Sequence, residues 1–259
     1  TGGSWSSSAD FALTNANNET GIDESSVPTF DPDSSPVPFG SVVDIEGDIV
    51  VAGARPSNYG LVGYNAFQRS TDPSTSDWVW IDSFVDISGG TFTDVATDSG
   101  VGLLVNQDPA DQVFRVFPTQ PSPSFERYGP GNNSGGIPGF GAEGDISSGT
   151  VFVGATDKML VFEQTGTQTV GGTQIPTYNN ASTAVLNPSS GVTGAGFGTS
   201  SVAADGTDVV VGAPGETTSG GTGVVYQFKR SGGSWGQHRR INAPSGVTSF
   251  GTSLSLGPS

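Results

Sequence analysis

Residues 197–235 read FGTSSVAADGTDVVVGAPGETTSGGTGVVYQFKRSGGSW, and the rest of the chain is a set of edited copies of this stretch. An alternating run at residues 201–204 meets a tight polar turn at Asp205 and Gly206. A second run, Val209, Val210 and Val211, ends at Gly212, Ala213 and Pro214. A Gly/Ser/Thr-rich loop over residues 215–221 leads to a third strand at residues 224–229, and Gly232 and Gly233 turn the chain into a fourth that opens on Trp235. Short β-branched runs bounded by Gly and Asp turns are a strand-and-hairpin signal, so the stretch predicts one four-stranded antiparallel unit.

The unit recurs. Its opening Phe is found at Phe39, Phe92, Phe140, Phe197 and Phe250, at steps of 53, 48, 57 and 53 residues. The second landmark reads Gly53-Ala54, Asn106-Gln107, Gly154-Ala155 and Gly212-Ala213. Each third strand carries a late Phe (Phe67, Phe117, Phe162, Phe228), and an aromatic opens each fourth strand at Trp78, Phe125, about Tyr178, and Trp235. A four-stranded antiparallel sheet buries both faces only by stacking on copies of itself, and repetition around an axis leaves few open edges. The expected fold is therefore an all-β propeller of four-stranded antiparallel blades.

Phe-Gly, a hydrophobic strand, Gly-Ala-Pro and a Tyr/Phe-rich strand together resemble the FG-GAP repeat, the blade of integrin α-subunit propellers. The tight Asp-Gly first hairpin and the Ser-Gly-Gly-Ser-Trp turn are similar to a short-turn FG-GAP-like variant. The resemblance covers about residues 39–256, best in the fourth unit and least in the second, where Thr93 and Asn106-Gln107 replace the landmarks. It implies a seven-bladed ring.

On this reading residues 4–16 supply the fourth strand of a preceding blade and residues 17–38 an inserted loop rich in Pro, Ser and acid. Whole blades follow at 39–91, 92–139 (degenerate), 140–196 and 197–249, and residues 250–259 begin another. Four whole units and two fragments suggest a piece of a longer protein.

The chain has 25 acidic against nine basic residues, a net charge of −16, and no cysteine. Binding to nucleic acid or an anionic membrane by charge is not expected, and neither a disulfide framework nor a cysteine metal site exists. No apolar run is long enough to span a bilayer as a helix.

Little in the sequence points to a reactive centre. Gly232-Gly233-Ser234-Trp235-Gly236 fits the G-x-S-x-G pattern of a hydrolase elbow, but that motif needs a strand-to-helix turn, and here it reads as a hairpin turn echoed at Gly2-Gly3-Ser4-Trp5. The only histidine, His238, sits beside Arg239 and Arg240 and reads as a surface residue. Acidic pairs at Asp44/Glu46/Asp48, Asp72/Asp77, Asp108/Asp111 and Asp205/Asp208 raise glycosidase or cation chemistry, which needs a geometry that spacing alone does not give. No cofactor and no metal ligand is assigned. Calcium is the one alternative, because the resemblance implies it in an acidic loop between the first two strands, yet the connections here are too short to encircle an ion.

Arg55, Asn58 and Tyr59 follow the first Gly-Ala on the face expected to carry the long loops, an aromatic beside an Arg and an amide that suits a protein or sugar contact. Asn18, Asn132 and Asn180 are N-glycosylation acceptors by pattern. The expected function is a non-enzymatic extracellular module for cell-surface adhesion or assembly of a surface filament, with a protein or glycan partner. A carbohydrate-binding lectin-like propeller is the alternative, and a secreted hydrolase a more distant one.

Overall fold

The computed structural model describes residues 39–54, 62–69, 78–86, 91–107, 112–119, 126–129, 136–170 and 172–257. Seventeen strands fall into four antiparallel sheets, and among the described residues there is no helix. The first sheet orders β1 (Phe39–Glu46), β2 (Ile49–Ala54), β3 (Val62–Arg69) and β4 (Trp78–Asp86) side by side. The second holds β5 (Thr91–Asp98), β6 (Val101–Gln107), β7 (Phe114–Pro118) and β8 (Glu126–Tyr128). The third holds β9 (Gly144–Ser147), β10 (Thr150–Ala155), β11 (Lys158–Val170) and β12 (Thr173–Tyr178), with the short β13 (Ala184–Leu186) also on β11. The fourth holds β14 (Val202–Asp205), β15 (Asp208–Thr217), β16 (Thr222–Ser231) and β17 (Ser234–Asn242).

Second strands such as β10, TVFVGA, are apolar along nearly their whole length because they are covered on both faces by neighbouring sheets. The core therefore lies between sheets. One cluster joins the first and second sheets through Val51, Ala66, Val95 and Phe117. Another joins the second and third through Leu103, Phe114, Val153 and Phe162, and a further one joins the third and fourth through Phe152, Met159, Val211 and Phe228. The late Phe of every third strand is at most 3% exposed. Phe162 meets Phe114 at 4.8 Å, and Phe197 meets Tyr226 edge-on at 5.5 Å.

The landmarks have a shared physical cause. A Cβ on Gly154 would overlap the carbonyl oxygen of Gly198, and one on Gly212 would overlap that of Gly251. The glycine that ends one second strand is thus pressed against the Phe-Gly opening of the next unit, an approach that only a residue without a side chain permits. In the second sheet Asn106 replaces that glycine, and the approach is kept by Gly141, whose Cβ would overlap the Asn106 carbonyl. The Asn106 side chain turns inward and accepts a 2.7 Å hydrogen bond from the buried Arg115. Thr93, in place of the opening glycine, donates its hydroxyl to the carbonyls of Val105 and Gly141 and so bridges two sheets.

Two expectations need correction. Tyr178 does not open a fourth strand; it ends β12. The first half of β11 pairs with β10 and β13, and its second half runs on into a hairpin with β12 beyond the sheet. That hairpin leans on the second sheet, burying Val170, Ile175 and Tyr178 in the same cluster as Phe114, where Tyr178 packs on Phe114 and Tyr128 at 5.6 and 5.2 Å. The short β7 and β8 leave apolar surface that this hairpin covers. Likewise, much of residues 215–221 is not loop: β15 continues to Thr217, leaving a turn at residues 218–221 in which Thr218 bonds the Gly221 carbonyl at 2.9 Å. Phe125 lies outside the described residues.

Gly154→Ala is expected to cost roughly 1–3 kcal/mol or more, because backbone must move to admit the methyl group. Gly236→Ala, where a Cβ meets nothing within 4 Å, should stay within about 0.5 kcal/mol of the parent. Urea unfolding of the two variants checks this.

Candidate functional site

The innermost strands β1, β5, β9 and β14, with residues 254–256, line a cavity of about 860 Å³. Its walls carry Asp44, Asp94, Asp145 and Asp205. Each of the first three carboxylates reaches from its own strand to the backbone of the next. Asp44 Oδ2 accepts from the Thr97 N–H at 2.6 Å and its hydroxyl at 2.8 Å. Asp94 Oδ2 accepts from the Gly144 N–H at 3.1 Å, and Asp145 Oδ2 from the Ala204 N–H at 2.6 Å. Nearer the turns Glu46 accepts the N–H groups of Ser99 and Gly100, and Ser147 that of Gly206. Inner strands of adjacent sheets face each other without pairing as a ladder, so their N–H groups need side-chain acceptors, and short acids supply them.

Crowding these acids has an electrostatic consequence. Burial pushes Asp94 up to about 6, against the pull of the Gly144 and Val95 N–H groups. Burial, then the Asp94 charge, pushes Glu143 up to about 8, and the Glu143 carboxyl hydrogen-bonds Asp94. Burial likewise raises Asp145 to about 7, opposed by the N–H groups of Ala204 and Ile146 and assisted by Asp44 and Asp94. Among the described residues no three acidic or imidazole side chains converge as a metal's ligands would.

A second feature lies at the outside. Residues 1–216 hold all 25 acidic residues and five basic ones, whereas residues 217–259 hold four basic and no acidic residue. Those four, with His238, lie on β16 and β17. β17 is the last strand of its sheet, and only Trp235 along it is even half-buried. Trp235 turns inward to meet Phe152 edge-on at 5.3 Å. Arg240 pairs with the buried Glu216 at 2.6 Å, and Glu216 also accepts the Tyr226 hydroxyl at 2.6 Å. Lys229 pairs with Asp208 at 3.0 Å and Arg230 with Glu163 at 2.9 Å. Arg239 has no ion pair among the described residues and is exposed, as is His238.

The sequence-predicted contacts Arg55, Asn58 and Tyr59 lie outside the described residues, as do Asn18, Asn132, Asp72, Asp77, Asp108 and Asp111. Asn180 is exposed in the turn between β12 and β13. Ser234 begins an antiparallel strand after a turn with positive φ at both Gly232 and Gly233, so the G-x-S-x-G match is a hairpin. Asp205 and Asp208 are cross-strand partners flanking the Gly206-Thr207 turn, but Asp205 lines the central cavity whereas Asp208 is paired with Lys229. The basic character of β16 and β17 was within reach of the sequence, through the absence of any acid after Glu216. The inner-strand bonds were legible in part: Asp44-Ile45, Asp94-Val95 and Asp145-Ile146 recur at steps of 50 and 51 residues, in register with the units, although the N–H that each carboxylate accepts comes from the neighbouring unit and only the fold reveals it.

Native carboxyls with raised pKa values hold protons that the unfolded chain has already released near pH 4, so stability falls as pH rises from about 4 to about 8. Calorimetric scans should show Tm several degrees lower at pH 8.5 than at pH 5, and Glu143→Gln should flatten that slope by fixing the neutral form.

No family model matches the chain, and no curated protein matches its sequence. Among solved structures it is similar to Kluyveromyces lactis Hsv2, a β-propeller, at 15% identity and a TM-score of 0.50 over 80% of this chain. The chain spans 62% of the length of that protein. At this identity the likeness concerns architecture alone, and with the four antiparallel sheets it makes the chain an all-β protein of the propeller kind.

Proposed function

We propose that the chain is a non-enzymatic interaction module, an FG-GAP-like propeller that works outside the cell in adhesion to a surface or in assembly of a surface filament. On this reading the four sheets are whole blades of a seven-bladed ring, with a fragment of one further blade at each end. The observation that carries the proposal is β17, a strand exposed along its length that gathers basic residues on an otherwise strongly acidic chain. Such an edge meets an anionic protein or glycan with complementary charge, which favours encounter and orientation. Of the four cations on β16 and β17, Lys229, Arg230 and Arg240 are paired within the chain, and Arg239, exposed and without an ion pair among the described residues, is the charge left to meet an anionic partner, too little for a run of phosphates. The G-x-S-x-G match offers no nucleophile, and the crowded acids of the central cavity are engaged in holding one sheet to the next. Both points favour binding over turnover.

Beads coated with the chain should adhere to cells of the source organism more than albumin-coated beads do. Adhesion should fall between about 50 mM and about 500 mM salt as exposed charges are screened. Arg239→Glu should weaken it roughly tenfold, about 1.4 kcal/mol. Adhesion no better than that of albumin beads at low salt would sink the reading.

A further inference from the structure

Between the second and third sheets, below the hairpin of β11 and β12, lies a cavity of about 220 Å³. Its rim is formed by two first-hairpin turns, Ser99-Gly100 and Ser148-Gly149. In the matching turns of the first and fourth sheets the first position is glycine, Gly47 and Gly206, each with φ of 58°. Here serine takes that place, with φ of 54° at Ser99 and 49° at Ser148. Each serine is followed by a left-handed glycine, Gly100 and Gly149, so both are two-residue turns with positive φ at both positions, whereas Asp48 and Thr207 after Gly47 and Gly206 are not left-handed; the serines add a hydroxyl at the rim. Both border one cavity.

The polar groups that face it are placed by the fold and keep spare capacity. Ser99 donates its hydroxyl to Asp98 Oδ1 at 3.0 Å, which orients the carboxylate and leaves Oδ2 open. Gln164 Nε2 is fixed on the Gly166 carbonyl at 2.9 Å, and its Oε1 fills the space that a Cβ on Gly149 would take. Gln174 Nε2 is fixed on Thr169 at 2.6 Å, leaving its carbonyl oxygen. The hydroxyls of Ser148 and Thr167 have no partner among the described residues. Ile146 and Pro176 supply an apolar wall.

We propose that this cleft is a binding site for one residue of a neutral saccharide. One carboxylate, two held amides and two hydroxyls around an apolar wall form a mixed acceptor and donor array, and adjacent sugar hydroxyls are each donor and acceptor. Ile146 and Pro176 are buried at the base of the cleft, so a sugar would be held chiefly through its hydroxyls by the exposed polar side chains around it. Asp98 disfavours an anionic ligand. The volume is below the roughly 300–1,000 Å³ of sites for larger ligands, so the cleft takes a single ring or the end of a chain. The inference rests on the reading of the chain as a binding module and gives that module a ligand class.

The test is a titration of the 15N-labelled chain with methyl α-glucoside, methyl β-galactoside and N-acetylglucosamine, each to about 50 mM, followed by two-dimensional NMR. At least one sugar should shift the side-chain amides of Gln164 and Gln174 and the backbone amide of Gly149, saturating with Kd of roughly 0.1–10 mM, weak as fits so small a contact. Asp98→Ala and Gln174→Ala should each weaken it tenfold or more with Tm little changed, and Ser219→Ala, in the exposed turn between β15 and β16, should leave it alone. The proposal is overturned if no sugar moves these signals, if the shifts map elsewhere, or if they survive both cleft variants. Bead adhesion separates the two readings: adhesion without any sugar shift removes the cleft and leaves the module, whereas sugar shifts in a chain that adheres to nothing remove the module alone.

Discussion

The structure depends on one close approach repeated between sheets, the contact of a backbone glycine with the backbone carbonyl that opens or closes the neighbouring unit. Gly154 against Gly198 and Gly212 against Gly251 leave no room for a side chain on either partner. That contact fixes how near two sheets come, and the distance in turn decides what fits between them. Phe and Tyr rings pack edge-on across the gap, as Phe197 does with Tyr226 and Phe228, and burial of their area stabilises an arrangement in which no single sheet has a core of its own.

The repeat was legible because its cause is local. A glycine that must touch a carbonyl, and a Phe that must fill a fixed gap, recur at nearly fixed intervals and need no knowledge of the rest of the fold. What could not be read was the compensation for departures from the repeat. Asn106 breaks the pattern in sequence, yet the contact survives because Gly141 supplies the missing clearance from the other side. Tyr178 has the right residue type for a strand opening, but its partner is chosen by the exposed apolar surface of the thin second sheet, which only the folded chain reveals. Glu216 looked like loop in a Gly/Ser/Thr-rich segment. Its burial follows from Tyr226 and Arg240, ten and twenty-four positions away.

Charge is divided between two tasks in this chain. Inward-facing acids accept N–H groups of the next inner strand, and crowding raises Asp94, Glu143 and Asp145 toward neutrality, so the cavity wall is less anionic near pH 6 than the composition implies. A buried acid that accepts two N–H bonds is stabilised by them while burial destabilises its charge. Shared protons settle that conflict, which makes cohesion between sheets respond to pH. The outer strand follows the opposite rule. On β16 and β17 Lys229 and Arg230 pair near the surface, where such pairs contribute little to stability, Arg240 is tied to the buried Glu216, and the exposed Arg239 is the charge left open to another molecule.

The cleft between the second and third sheets grows from the same irregularity that made the second unit hard to read. A short β7 and β8 leave the second sheet thin, and β11 is long enough to send a hairpin over it. A regular sheet would fill that space with its own fourth strand. The lean of the hairpin instead encloses a space floored by two first-hairpin turns and roofed by Gln164, Thr167 and Gln174. Serine at the first left-handed position of both turns is compatible with hairpin chemistry and faces the cleft as well. Gly100 and Gly149 already supply the second left-handed residue of these turns, so the first position is open to a polar residue, and serine there places a hydroxyl at the cleft rim that the glycines of the first and fourth sheets, Gly47 and Gly206, do not.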